Sequence, residues 1–158
     1  MDTPATVHYV LPMPSRSALY DNDFYAWSNQ QASLLRAGKL DQADLDNIAE
    51  EIESMGRTEK RELVSRLTVL VLHLLKWQFQ PLLRSPSWRA TIRVQRRDLT
   101  KHMADNPSLK SQVPDAVEWA YGNALVLAET ETGLPEATFP ATCPYEFGQM
   151  MDEGFWPE

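Results

Sequence analysis

Between Asp41 and Glu53 the chain places six acids, Asp41, Asp44, Asp46, Glu50, Glu51 and Glu53, and no base. Asp46, Glu50 and Glu53 fall at i, i+4 and i+7, a spacing that turns three carboxylates to one side of a helix. Grouped carboxylates on a helical scaffold suit Mg²⁺ or Mn²⁺. If any residues hold a metal, it is these three. The plainer reading is a solvated face whose first acids complement the helix dipole. A di-iron centre would want Glu-x-x-His on paired helices, and the sequence contains no such motif.

His73 is the polar side chain in the apolar run Val69–Leu75. It falls in line with Glu62, Arg66, Lys76 and Gln80, a stripe that either meets water or makes a seam with charges from another helix. Beside a carboxylate its imidazole could serve as a ligand or general base near neutral pH. A hydrogen-bonded structural histidine is the alternative. Further on, Arg84, Arg89, Arg93, Arg96, Arg97 and Lys101 stand against Asp98 alone. Arg89, Arg93 and Arg96 share a helical face near Trp88, which reads either as an anion or nucleic-acid patch or as guanidiniums forking onto Glu50, Glu51 or Glu53. Arg97 extends the patch in the nucleic-acid reading. Cys143, just before Pro144 at the start of a short helix, occupies a position that can lower a thiol pKa, but its neighbour Glu146 works against that, and an inert buried cysteine is the plainer reading.

These residues need helices to bring them together, and the chain is patterned for helices throughout. Asp21 or Asn22 caps a first helix running to about Ala37, with Gly38 as its left-handed stop. Asp41 or Asp44 caps a second to Met55, with Leu45, Ile48, Ala49, Ile52 and Met55 as its apolar face and Gly56 closing it. Thr58 caps a third that reaches Phe79 and stops before Pro81. Apolar side chains cover most of its circumference from Leu63 to Phe79, so it is the central helix. Ser85 and Pro86 start a fourth, to about Ala104. A fifth runs from Pro114 to about Thr132, with Ala116, Ala120, Ala124 and Ala128 four apart for close packing and Gly133 as its end. A short helix near 145–152 precedes Phe155 and Trp156, which pack back on the bundle. Residues 1–19, broken by Pro4, Pro12 and Pro14, read as an extended arm with Val7–Leu11 docking on the surface.

The expected fold is therefore all-α: one helical domain over residues 20–158, a bundle of about five main helices with a short C-terminal helix and the N-terminal arm. With 158 residues and 43% hydrophobic content the chain can bury one core without staples. The net charge of −7 works against broad contact with nucleic acid or anionic membranes. The single cysteine excludes an internal disulfide, and no signal peptide is visible. At ~1.5 Å per residue the longest apolar stretch, Leu67–Leu75, covers less than half of a ~30 Å bilayer core. A cytoplasmic protein without membrane contact is expected.

The stretches YDNDFYAW, LDNIAEEIESMGRTEKREL, LVLHLLKWQFQP, RSPSWRATIRVQRRDL, ETGLP, FPATCPY and the closing FWPE resemble the bacterial family called domain of unknown function 29. The resemblance implies a helical domain of about this length and no assigned activity. It supplies no catalytic residue.

The functional expectation is a non-catalytic protein-interaction or regulatory module with no cofactor, whose partner is a protein. Its candidate polar seam comprises Asp46, Glu50, Glu51, Glu53, His73, Arg89, Arg93 and Arg96. One alternative is a phosphate-handling enzyme using Mg²⁺ or Mn²⁺ at that seam between the second, third and fourth helices. A second is nucleic-acid binding through Arg89, Arg93, Arg96 and Arg97.

Overall fold

A computed structural model describes residues 16–158, with side chains from Ala18 onward. Of the arm expected over residues 1–19, residues 1–15, Val7–Leu11 included, lie outside the described residues, and residues 16–19 are helical rather than extended. The fold is all-α. The described residues form α1 (Arg16–Asn22), α2 (Phe24–Arg36), α3 (Leu45–Phe79), α4 (Pro86–Asp105), α5 (Val113–Thr132) and α6 (Phe147–Met151). Short 3-10 turns occupy Pro81–Leu83, Pro107–Gln112 and Glu136–Thr138, and no strand occurs among the described residues. No helix among them is long and apolar enough to cross a membrane.

The chain divides into two compact units, one ending at Met55 and one running from Gly56 to Glu158. The first is built around Trp27. Its ring lies 4.8 Å from that of Tyr20 and 5.4 Å from that of Phe24. Its indole N–H donates to Asp44 Oδ2 at 3.2 Å, and the Asp44 amide donates to Gln31 Oε1 at 2.8 Å. Asp23, rather than Asp21 or Asn22, caps α2 by accepting from the Ala26 amide, because the chain is already helical from Arg16 to Asn22. Gly38, at φ 69°, stops α2 as its neighbours predict.

Met55 and Gly56 do not end a helix. The expected second and third helices are one continuous helix of 35 residues, with Gly56 and Thr58 inside it. Gly38 and Gly133 are the glycines at positive φ among the described residues, so Gly56 lacks the left-handed conformation of a stop. An interior glycine costs about 1 kcal/mol relative to alanine, too little to break a helix that other interactions carry through.

The second unit is organised on the C-terminal part of α3. Leu63, Leu67, Leu70, Val71, Leu74 and Leu75 are fully buried, each contributing roughly 1.5 to 3 kcal/mol of transfer free energy. Ser85 caps α4 through the Trp88 amide, and Ile92 and Leu99 face the core. Arg66 to Asp98 at 2.9 Å and His102 Nε2 to the Glu59 carbonyl at 3.0 Å set α4 antiparallel to α3. Ala116, Ala120, Ala124 and Ala128 are fully buried, so α5 packs closely at the expected spacing. Lys76 bonds Glu131 at 2.6 Å, running α5 alongside α3 in the same direction. After Gly133 the chain returns across the end of α3. Phe139 lies 5.0 Å from Phe79 and Trp156 lies 4.7 Å from Trp77, ring centre to ring centre.

Candidate functional site

Each unit uses its share of the sequence-predicted polar residues differently. In the first, Asp46, Glu50 and Glu53 are exposed on α3, and Glu51 accepts a hydrogen bond from the Tyr20 hydroxyl. That bond holds the phenol above its ordinary value of 10.0. Among the described residues no group of three His, Cys, Asp or Glu side chains could hold a metal ion.

In the second unit, Arg96 is 2% exposed. Its Nε donates to the Met150 carbonyl at 2.7 Å and its Nη2 to the Phe155 carbonyl at 2.7 Å. Burial lowers its pKa below the usual arginine value, with Asp152 and Glu153 opposing. The Trp156 ring is shared by the guanidiniums of Arg96 and Arg89, at 5.3 and 5.2 Å. Arg84 donates to the Trp77 carbonyl at 2.8 Å and stacks on its ring at 5.1 Å. Arg84, Arg89 and Arg96 thus fasten the closing Phe155-Trp156-Pro157 segment to the bundle. Arg93 and Arg97 lie exposed around a shallow depression of about 270 Å³ with Ala90, Val94 and Glu153.

His73 stays within its own helix: its Nδ1 lies 2.8 Å from the Val69 carbonyl oxygen. Burial is the first cause lowering its pKa from 6.5, and Lys76 adds to it; the Val69 bond and Glu131 oppose. A carbonyl oxygen only accepts, so Nδ1–H donates and Nε2 is left as the basic atom. Two members of its stripe reach neighbouring helices, Arg66 to α4 and Lys76 to α5. Arg66 pairs with Glu62 at 2.7 Å and with Asp98, and Lys76 pairs with Glu131. The Cys143 thiol is pushed up from 9.0 by burial, opposite to the shift its position suggests, and its Sγ lies 3.4 Å from the Tyr145 carbonyl.

The concave feature that stands out sits elsewhere. A groove of about 870 Å³ runs between α3 and α5, floored by Val64, Thr68 and Val69 and walled by Trp119, Val126 and Leu127. Arg57, Lys60 and Arg61 rim it, and no acid among the described residues lines it. Trp119 is 67% exposed and Val126 61%, the reverse of what aliphatic and indole surface favours in water. Spacing alone does not single this wall out. On α5 the alanines and Tyr121 take the buried positions and leave Trp119, Val126 and Leu127 on the outer face.

Among curated proteins and among solved structures, no match to the chain is found. The model of the family named domain of unknown function DUF29 matches residues 19–156 of the 158, and the chain belongs to that family.

Proposed function

We propose that this chain is a non-catalytic interaction module that holds an amphipathic, acid-rich helix of a partner protein in the groove between α3 and α5. The observation that carries the reading is the pairing of an apolar floor and an exposed Trp119 with the cationic Lys60 and Arg61 at the rim. Two neighbouring helices running the same way leave a furrow that a third helix fills by ridge-into-groove packing. From Arg57 to Val69 the furrow is about 18 Å long at ~1.5 Å per residue, the reach of about three helical turns. Tryptophan and arginine are the residue types that most often dominate binding energy at such contacts. A single cysteine and an acidic composition fit a cytoplasmic setting for the module.

The test is fluorescence anisotropy with a labelled, acidic, amphipathic helical peptide of about three turns and its charge-reversed counterpart. Saturable binding of the acidic peptide is expected, weakened at least about tenfold by Trp119→Ala. The charge-reversed peptide should bind less well. Binding that is absent, or that Trp119→Ala leaves unchanged, rejects the reading.

A further inference from the structure

We propose that the helix seated in this groove is the Leu45–Met55 stretch of a second copy of the same chain, joined head to tail; this rests on the groove being a helix-binding site. Leu45, Ile48, Ile52 and Met55 recur at i, i+3, i+7 and i+10, one stripe of a helix. Leu45 is 51% exposed, Ile52 63% and Met55 69%, with Ile48 half-buried, so most of the stripe is uncovered although it carries the spacing of a packing face. A stretch of 11 residues within α3 is about 16 Å long, matching the ~18 Å furrow.

Charge points the same way. The stretch holds acids and no base, with Asp46 exposed at its start, whereas Lys60 and Arg61 rim the groove and no acid among the described residues lines it. Apolar contact would supply the affinity, and the opposite fields would steer and orient the approach. Stripe and groove are different surfaces of one chain, and a head-to-tail contact between them is heterologous: it closes into a ring or extends as a linear assembly.

Sedimentation velocity and light scattering over a concentration series test this. The unaltered chain should associate beyond a monomer as concentration rises. Ile52→Glu removes the stripe and leaves the groove; Trp119→Glu removes the groove and leaves the stripe. Both positions are exposed, and circular dichroism checks that each variant is folded; Ile52→Gln and Trp119→Ser replace any that is not. Each variant alone should remain monomeric, and an equimolar mixture should give a one-to-one complex and nothing larger, because one good stripe then meets one good groove.

An unaltered chain that stays monomeric overturns the inference, as do single variants that associate like it or a mixture that forms no complex. The anisotropy experiment separates the two ideas. If the acidic peptide binds while the chain is monomeric, the groove serves a different protein and only the second-copy occupant is wrong. If neither is seen, both readings fall.

Discussion

Arg96 donates from Nε to the Met150 carbonyl at 2.7 Å, across a sequence separation of 54 residues. With the bond from Nη2 to Phe155 and the stack on Trp156, one buried guanidinium supplies the donors that satisfy the C-terminal turn. Its planar fork reaches two carbonyls at once, which an ammonium cannot do.

Arg96→Met should therefore destabilise the protein by roughly 2 to 4 kcal/mol, through lost charge-assisted bonds and carbonyls left without donors. Arg96→Lys should recover little of this. Deleting residues 154–158 should also destabilise, and a double-mutant cycle by urea unfolding should show the two losses to be strongly non-additive. Additive losses would mean that Arg96 acts through something other than the C-terminal segment.

Gly56 separates the expected helix break from the continuous α3. A Cβ built at this position meets nothing within 4 Å, and its φ is not positive. Gly56→Ala should then stabilise by roughly 0.5 to 1 kcal/mol, because alanine restricts the unfolded chain and fits a helix interior. Gly133→Ala, at φ 71°, should destabilise by about 1 kcal/mol. Thermal melts of the two variants moving in opposite directions confirm the continuous helix; a loss at Gly56 would restore the break.

The same pair of glycines shows what was legible in the sequence. Ser85-Pro86, Gly38 and Gly133 are read correctly because a cap is decided by its immediate neighbours. The four-residue alanine ladder of α5 and the leucines of α3 are legible because burial follows helical period. Gly56 and Thr58 mislead because glycine and threonine serve both at helix ends and, at a modest cost, inside them. The partners of Arg96 are illegible for another reason. They are backbone carbonyls, which every residue possesses, so no side-chain pattern marks Met150 or Phe155. Trp119 escapes notice because a lone indole on a helix reads as core, and only the placement of Ala116 and Ala120 turns it outward.

His73 gives the protein an acid sensitivity whose sign is fixed by its surroundings. Burial and Lys76 hold the imidazole below 6.5, against the opposing pull of the Val69 carbonyl and Glu131. The unfolded chain therefore binds the proton more readily than the folded one. The stability tied to the neutral ring is fully present above pH 6.5 and is lost as pH falls from there through the folded pKa. His73→Asn keeps an N–H that can reach the Val69 carbonyl and removes the titration. Urea unfolding at a series of pH values should show the unaltered protein losing stability faster than His73→Asn below pH 6.5, with parallel curves above it. Glu131→Gln should enlarge the difference, since it removes a carboxylate that favours the imidazolium. It also leaves Lys76, buried and over the Trp88 ring at 4.7 Å, without its anion. Parallel curves for the unaltered chain and His73→Asn across the whole range would show that His73 does not titrate with folding.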